Sequence, residues 1–311
     1  MRFFVFALLA GCMPAAPDSQ SQVDAPTGSG GDGSIANPDA PAGGLEGGSL
    51  TVSWMHGSQN CANNTDPEVQ VLAYNATVHI IRQNKCNTFE APFIYVIEGD
   101  TKALSIDTGA TTTTTLRTTI RGLIGTKQLI AAHSHAHGDH KAGDPTFSGQ
   151  PNTTLVATTQ SAIQQQFGIT TWPTSQGTID LGNRVLDVLA IPGHEAQHIA
   201  IYDRKTGLLF TGDTLYPGLL FISDWATYRT SVHRLAQFAA SHPISHVMGA
   251  HIEMTSTAKQ VYPYGTTYQP AEHVLQLAAS HVAELDAALT QLGATPPTQP
   301  VAHDDFVIDP Q

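Results

Sequence analysis

Positively charged residues are scarce in this sequence. Lysine and arginine together number 14 among 311 residues, against 26 aspartates and glutamates, and the formal net charge at pH 7 is −12. Proteins that bind nucleic acids use clustered cations to neutralise the phosphate backbone. The composition therefore argues against a nucleic-acid partner and leaves a small molecule as the expected substrate.

Long apolar segments are also missing. Residues 3–10 form an apolar run too short to span a bilayer, and no later segment is apolar enough to do so. The run ends in Leu9-Ala10-Gly11-Cys12, which resembles the lipobox of bacterial lipoproteins. We expect residues 1–11 to be a signal peptide and Cys12 to carry the lipid, with a short ordinary signal peptide as the alternative. Either interpretation exports the protein. The first places it in the bacterial cell envelope, on a periplasmic or extracellular face, with the N-terminal lipid as its only contact with the membrane.

Bulky apolar residues are nearly absent from the next segment. Residues 13–49 are rich in Gly, Pro, Ser, Ala and Asp, a composition that cannot bury enough surface to become ordered. We therefore expect the lipidated cysteine and a disordered tether over residues 12–49, and a folded domain over residues 50–311.

Cysteine is rare, with three in the chain. Besides Cys12 there are Cys61 and Cys86, and two cysteines in an exported protein most often form a disulfide bond. A metal-binding or catalytic thiol is the alternative, although neither cysteine lies near the histidine cluster described below. The sequence therefore predicts a disulfide bond between Cys61 and Cys86.

The domain alternates β-rich stretches with helical patterns. Two β-rich stretches, VQVLAY and TVHIIR, are predicted within residues 69–82, and further strands at residues 92–98, 103–107, 128–132, 155–158, 184–191, 198–203, 208–211 and 246–249. Helices are predicted at residues 111–124, 160–167, 224–240 and 270–292. Strand clusters followed by helices, twice along the chain, favour two packed sheets with helices outside.

Histidine is unusually frequent, with 15 residues, and it is clustered. The segment His133-Ser134-His135-Ala136-His137-Gly138-Asp139-His140 holds four histidines and one aspartate directly after a predicted buried strand. A loop at the end of a strand can turn several side chains onto one point, and these residue types are common zinc ligands. The segment therefore predicts a metal site, with a solvated histidine-rich loop as the alternative.

Residues 135–140 fit the pattern His-x-His-x-Asp-His, which is typical of the metallo-β-lactamase superfamily. Later segments resemble further blocks of that family in the same order: Ile191-Pro192-Gly193-His194, Thr211-Gly212-Asp213-Thr214 and Gly249-Ala250-His251. An earlier segment, Ser105-Ile106-Asp107-Thr108-Gly109, resembles its Asp-Thr-Gly turn. The resemblance covers roughly residues 69–251. It implies an α/β fold, an αββα sandwich of two mixed β-sheets with outer helices.

The resemblance implies seven metal ligands in two sites. The first ion would be held by His135, His137 and His194. The second would be held by Asp139, His140 and His251, with Asp213 bridging both ions. Nitrogen and carboxylate ligands suit zinc, iron and manganese, and two zinc ions are expected for an exported enzyme.

Other residues near the ligands are predicted to support them. Asp107 is expected to orient a ligand, with a turn aspartate that caps Thr108-Gly109 as the alternative. His133 lies one step before the complete pattern and is expected to be a supporting or structural residue. His198 and His246 are expected to belong to the fold or the surface.

Two close metal ions lower the pKa of a shared water to near neutrality. The resemblance therefore implies an enzyme, a metal-dependent hydrolase that uses a metal-bound hydroxide, oriented by Asp139, to cleave an ester, lactone, thioester or related bond. True β-lactamases of the family usually carry Cys or Ser where this chain has Asp213. A class B-like β-lactamase, a phosphodiesterase, and a non-hydrolytic iron, redox or binding module remain alternatives.

Tyrosines that follow two of the ligand blocks are candidates for the substrate pocket. Tyr216 comes three residues after Asp213, a spacing at which lactonases of the family place a tyrosine that stabilises the oxyanion. Tyr262, Tyr264 and Tyr268 follow the last block and are expected to line the mouth of the site. For all four, simple packing of a loop is the alternative.

Overall fold

We describe the protein from a computed structural model of the chain, which describes residues 44–311. The predicted signal peptide, Cys12 and most of the predicted tether lie outside these residues. Within the described part, no helix combines the length and the apolar character that crossing a membrane requires.

The described residues form three β-sheets. Their strands are β1 (Val69–Ala73), β2 (Val78–Gln83), β3 (Phe93–Glu98), β4 (Lys102–Ile106), β5 (Gln128–Ala132), β6 (Thr153–Leu155), β7 (Gly177–Asp180), β8 (Val185–Ala190), β9 (Ile199–Asp203), β10 (Leu208–Gly212), β11 (Leu219–Ile222), β12 (His246–Gly249), β13 (Gln276–Leu277), β14 (Val301–Ala302) and β15 (Val307–Pro310). The first sheet has the order β1-β2-β3-β4-β5-β6, the second β13-β12-β10-β9-β8-β7 and the third β11-β15-β14. Both six-stranded sheets are mixed, since β4, β5 and β6 are parallel, as are β10 and β12.

Helices cover the outer faces of the two large sheets. They are α1 (Thr115–Ile124), α2 (Gly138–Lys141), α3 (Asp144–Phe147), α4 (Gln160–Phe167), α5 (Trp225–Ser241) and α6 (Ser280–Leu292), with a short 3₁₀ helix at Cys61–Asn63. The apolar face of α5, which includes Val232 and Leu235, packs with α6 on the second sheet, and that of α1 packs on the first. The predicted αββα sandwich is thereby confirmed.

Strand β3 shows why the core has several layers. All six of its residues are buried. Phe93, Tyr95 and Ile97 point into the core between the two sheets, whereas Ile94 and Val96 join the outer cluster around α1. Because successive side chains of a strand face opposite sides, a continuous apolar run marks a strand that is covered on both faces.

The predicted helix over residues 270–292 is wrong in its first ten residues, because α6 begins only at Ser280. Leu275 and Leu277 are buried two residues apart, which is the spacing of a strand, and β13 pairs with β12. The helical periodicity of the later residues was extended too far toward the N-terminus. The two β-rich stretches predicted within residues 69–82 are confirmed as β1 and β2, and in the turn between them the Asn75 side chain accepts hydrogen bonds from the backbone.

The folded chain also begins earlier than residue 50. The backbone N–H of Glu46 donates to the carbonyl of Lys205 at 2.7 Å, and that of Ser49 donates to Tyr74 at 2.7 Å. Gly48 lies so close to Tyr74 that a Cβ atom would be 2.4 Å from its carbonyl oxygen. Glycine in this segment therefore permits close backbone packing rather than only flexibility.

The predicted disulfide bond between Cys61 and Cys86 is present, with the two Cα atoms 5.0 Å apart. It joins the short 3₁₀ helix to the segment that follows β2. It lies outside the histidine cluster, as the sequence indicated.

Candidate metal centre

Four strands of the two large sheets bring the predicted ligands together. The histidine-rich loop follows β5, His194 follows β8, Asp213 follows β10 and His251 follows β12. Each ligand lies one to four residues beyond the end of its strand or within the loop that continues it. The sheets therefore determine the positions of the ligand Cα atoms. The seven residues lie at one edge of the sandwich and form two groups of potential metal ligands.

The first ligand group consists of His135, His137 and His194. Nδ1 of His137 lies 3.0 Å from Nε2 of His135 and 3.0 Å from Nε2 of His194. Three nitrogen atoms therefore point at one position. His135 and His194 are buried and His137 is exposed, so this position is closed on two sides and reachable on the third.

The second ligand group consists of Asp139, His140, Asp213 and His251. Nε2 of His140 lies 3.0 Å from Oδ2 of Asp139, and Nε2 of His251 lies 3.2 Å from the same oxygen. The two imidazole nitrogens are 3.3 Å apart. This group thus combines two nitrogen and two carboxylate donors.

Asp213 contacts both groups. Its Oδ2 lies 3.7 Å from Nε2 of His135 and of His194, and 3.4 Å from Nε2 of His140. Its Oδ1 is buried and has no hydrogen bond within the described chain. A buried carboxylate oxygen without a partner costs free energy unless a cation satisfies it. The position of Asp213 therefore fits a carboxylate that bridges two metal ions.

The other ring nitrogens of the buried histidine ligands are held by the protein. Nδ1 of His194 faces the carbonyl of Phe221 at 2.7 Å, and Nδ1 of His251 faces the carbonyl of Glu90 at 3.1 Å. Each such carbonyl accepts a hydrogen bond from Nδ1, which leaves the lone pair of Nε2 free for a metal. The donor set and its tautomers therefore fit two divalent cations.

Asp107 lies directly behind two of the candidate ligands. It is buried, and its carboxylate lies 2.8 Å from Nδ1 of His140 and accepts the backbone N–H of Ser134 at 2.7 Å. The Ser134 hydroxyl also contacts Nδ1 of His135, at 3.1 Å. Asp107 thus orients His140 directly and reaches His135 through Ser134. The role of Ser134 was not predicted, although it lies inside the histidine-rich segment.

Electrostatics differ between the two groups. Burial lowers the pKa of His194, and that of His135 falls well below its ordinary value, so both imidazoles stay neutral. Burial also disfavours a charged His251, but the carboxylates of Asp213 and Asp139 raise its pKa to about 9. The carboxylates of the second group therefore favour a bound positive charge, whereas the buried imidazoles of the first group are neutral nitrogen donors.

Two further histidines lie beside the centre without joining it. His133 pairs with Asp144, with Nε2 and Oδ1 2.7 Å apart, and therefore has a structural partner. His198 is fully buried and its ring stacks on His135 at 4.6 Å between centroids. Its Nε2 has no hydrogen bond within the described residues. His198 was predicted to belong to the fold or surface, and its contact with a ligand ring was not foreseen.

A cavity of about 300 Å³ opens over the two groups. Tyr264 lines it, is 78% exposed, and packs edge-on against Phe89 with ring centroids 5.0 Å apart. Tyr262 lines a neighbouring crevice, and its hydroxyl accepts the backbone N–H of Ala271. Tyr268 lies in a β-bridge with Gly57 and lines neither cavity. Of the three predicted tyrosines, Tyr264 alone reaches this cavity.

Tyr216 also lines the cavity, but its hydroxyl is engaged. It contacts the carbonyl of Leu219 and lies 3.0 Å from Oε2 of Glu253. Burial, together with Glu253, holds the pKa of Tyr216 well above its ordinary value. The single hydroxyl proton of Tyr216 therefore already has two acceptors within the protein, the Leu219 carbonyl and the Glu253 carboxylate. Glu253 and Glu90, which also line the cavity, were not singled out in the sequence.

The fold and the two ligand groups define a metal-binding αββα protein. Residues 87–251 match the model of the Metallo-beta-lactamase superfamily, and the chain belongs to that family. The matched region contains all seven predicted ligands.

Relatives with a printed function are hydrolases. Acyl-coenzyme A thioesterase MBLAC2 of Gallus gallus is 31% identical over 96 residues, which are 29% of this chain and 34% of that protein. Hydroxyacylglutathione hydrolase of Hahella chejuensis (strain KCTC 2396) is 33% identical over 123 residues, which are 38% of this chain and 43% of that protein. The chain thus spans less than half the length of either relative.

Solved structures share the fold. The metallo-beta-lactamase from Pontibacter korlensis superposes with a TM-score of 0.51 at 18% identity, over 71% of this chain and 99% of that one. At this identity the likeness supports the fold and carries no information on the substrate.

Proposed function

We propose that this chain is an exported dinuclear zinc hydrolase that cleaves an ester, thioester or lactone. The observation that carries the proposal is the position of Asp213. Its two carboxylate oxygens lie within 3.4–3.7 Å of ligand nitrogens from both groups, and one of them is buried without a hydrogen bond. A single structural zinc site is closed by four ligands and needs no such shared carboxylate.

Two bound divalent ions supply a nucleophilic water at neutral pH and polarise the carbonyl oxygen under attack. The protein provides the arrangement around that chemistry. Asp139 is the ligand carboxylate that lines the cavity while remaining partly exposed, with 20% of its side chain accessible. It is therefore placed to accept a hydrogen bond from the attacking water and to orient it.

Two observations support the type of bond that we propose is cleaved. The residue that contacts both groups is an aspartate, whereas true β-lactamases of the family usually carry Cys or Ser at that position, which makes a β-lactam the less favoured substrate. The relatives with printed functions are a thioesterase and hydroxyacylglutathione hydrolases. Carbonyl esters, thioesters and lactones share a tetrahedral transition state, so one site serves all three.

A hydrolysis panel tests this proposal. The full chain, loaded with zinc, is assayed against an ester, a thioester, a lactone, a β-lactam and a phosphodiester, with zinc content measured on the same sample. We expect two ions per chain and steady-state turnover of at least one carbonyl ester, thioester or lactone. One ion at full activity would contradict the dinuclear site. Turnover confined to the β-lactam or the phosphodiester would contradict the proposed bond.

Export through a lipid anchor is the second part of the proposal. It is supported by the sequence Leu9-Ala10-Gly11-Cys12 and by the Gly- and Pro-rich composition that follows. Replacing Cys12 by Ser (Cys12→Ser) should shift the protein from the detergent-soluble membrane fraction to the aqueous fraction. A variant that still requires detergent would contradict the anchor.

A further inference from the structure

A second, larger cavity begins beside the metal centre. This groove, which we call the α5 groove, encloses about 700 Å³ between the N-terminal half of α5, the loop at residues 172–174 and the segment 192–197. Ser223 lines both the α5 groove and the cavity over the metal ligands. A substrate whose reacting carbonyl lies at the metals can therefore extend into the groove. Its volume lies in the range of pockets that bind drug-sized molecules.

The groove is attached rigidly to a metal ligand. Gly193, which precedes His194, accepts hydrogen bonds at its carbonyl from the backbone N–H groups of Ser223 at 3.0 Å and Asp224 at 2.9 Å. Gly193 has φ +139°, and a Cβ atom there would lie 2.3 Å from the Cα of Tyr228. The first turn of α5 and the metal ligand are thus fixed to each other, so the groove is formed before substrate binds.

The walls of the groove are largely apolar. They include Trp172, Pro173, Pro192, Ala196 and Ala226. Apolar side chains that enclose a cavity favour an acyl chain or an aromatic ring, because each buried methylene contributes to binding.

Three charged side chains line the groove, the two carboxylates of Asp224 and Glu195 and the guanidinium of Arg234, so its net charge is negative. Asp224 accepts hydrogen bonds from the backbone N–H and the hydroxyl of Thr227, which hold its pKa below the ordinary value and keep it ionised. Glu195 lines the same groove. The guanidinium of Arg234 donates to the carbonyls of Pro173 and Ala190, so two of its nitrogens are held by the wall of the groove.

We propose that the α5 groove binds the non-reacting part of the substrate and selects an apolar group that is neutral or cationic rather than anionic. This inference rests on the proposed function and narrows its substrate class. The groove would therefore disfavour a substrate whose non-reacting part carries a negative charge. Carboxylates at Asp224 and Glu195 repel such groups, and the effect weakens as salt screens it.

The first test varies the acyl chain. Acetyl and octanoyl 4-nitrophenyl esters have the same leaving group, and kcat/KM of the zinc-loaded full chain should favour the octanoyl ester by about tenfold or more. Ala226→Trp places a large ring in the groove at an exposed helix position and should reduce that ratio to near one. Ala240→Trp, also exposed on α5 but outside the groove, is the matched control and should keep the ratio.

The second test varies charge at constant chain length. The 4-nitrophenyl esters of 6-(trimethylammonio)hexanoic acid and of suberic acid differ in the sign of a remote charge, and the cationic ester should be preferred several-fold at low salt. Asp224→Asn removes a charge but retains a good helix N-cap, so the fold is kept and the preference should shrink. A chain-length ratio near one, or a preference for the anionic ester that Asp224→Asn does not alter, would overturn the inference.

The tests distinguish failure of the proposed hydrolase activity from failure of the proposed selectivity of the α5 groove. Absence of any ester turnover by protein that contains two zinc ions refutes the proposed hydrolase and leaves the groove to a binding assay. Trp172 lines the groove, so octyltrimethylammonium should change its fluorescence at lower concentration than octyl sulfate does, and Trp172→Phe should remove the signal. Equal affinity for the two amphiphiles, or tighter binding of octyl sulfate, would refute the groove's selectivity whatever the enzyme does.

Discussion

The two ligand groups lie side by side but are built differently. The first contains three imidazoles, one of them exposed, whereas the second contains two imidazoles and two carboxylates and is supported by buried Asp107. Neutral nitrogen donors suit zinc, and carboxylates also accept harder ions such as manganese. The comparison teaches that the donor atoms of the first group restrict the choice of metal ion more than those of the second group do.

The shared residue should produce the largest effect. Asp213→Ala removes the carboxylate that contacts both groups, so we expect both ions to be lost and hydrolysis to fall to background. Metal content by mass spectrometry and kcat/KM on the preferred ester measure this. Asp144→Ala, a neighbouring aspartate that pairs with His133, is the control and should retain two ions. Retention of either ion at full occupancy in Asp213→Ala would show that Asp213 is no bridge.

Removing one histidine from each group sharpens the comparison. His194→Ala should empty the first group and His251→Ala the second, leaving one ion in each variant. The remaining ion of His194→Ala should exchange with manganese more readily than that of His251→Ala, since its ligands include two carboxylates. Competition between zinc and manganese during dialysis measures this. Equal exchange in both variants would remove the chemical distinction between the groups.

The supporting carboxylate should act mainly on the second group. Asp107 has φ +73°, a conformation that asparagine adopts more easily than most residues, so Asp107→Asn keeps the backbone. We expect its neutral amide to weaken zinc at the second group by about 10- to 100-fold, the usual effect of losing a partner of a ligand histidine. Stepwise titration with a chelator separates the two ions. A uniform loss at both groups would show that Asp107 acts chiefly through Ser134.

Tyr216→Phe distinguishes catalysis from packing. Because the hydroxyl contacts Leu219 and Glu253, we expect kcat to change by only a few-fold and stability to fall by about 1–3 kcal/mol, the cost of a buried acceptor left unsatisfied. Denaturant unfolding and steady-state kinetics measure both. A loss of about 10²-fold in kcat with little change in KM would instead support the oxyanion role predicted from the sequence.

The disulfide bond should have the smallest effect on the metal centre. Cys61→Ser combined with Cys86→Ser opens a loop of 25 residues, which should cost about 3 kcal/mol of stability. Both groups should still bind metal, because the bonded cysteines are not ligands. Loss of the ion at the second group would show that the disulfide bond also positions the Glu90 carbonyl, which contacts Nδ1 of His251.

The seven candidate ligands could be named from the sequence because their blocks resemble those of the metallo-β-lactamase superfamily. Residues 135–140 are adjacent in sequence, and His194, Asp213 and His251 each come within four residues of a strand end. The resemblance supplied the residues, and their positions just after strands let the sheets bring them together. Asp107, which follows β4, was singled out by the same resemblance.

Other features depend on contacts between distant segments. The α5 groove joins residues 172–174, 192–197 and the start of α5, and nothing in any one segment marks it as a cavity. His198 resembles any buried histidine in a strand pattern until its ring is seen to stack on His135. The irregular segment before α6 was misassigned because the helical pattern of residues 280–292 was extended over Leu275 and Leu277, whose spacing is that of a strand. Tertiary pairing with β12 decides between the two.

The small third sheet sets an order of events during folding. Phe221, whose carbonyl orients His194, lies in β11, and β11 is held in a parallel pairing by β15 near the C-terminus. Parallel pairing between segments so far apart forms slowly, because the long loop must close first. We therefore expect the first group to gain its metal only after the last strand has docked. Under the export proposed above, the first group would therefore receive its metal ion only after translocation.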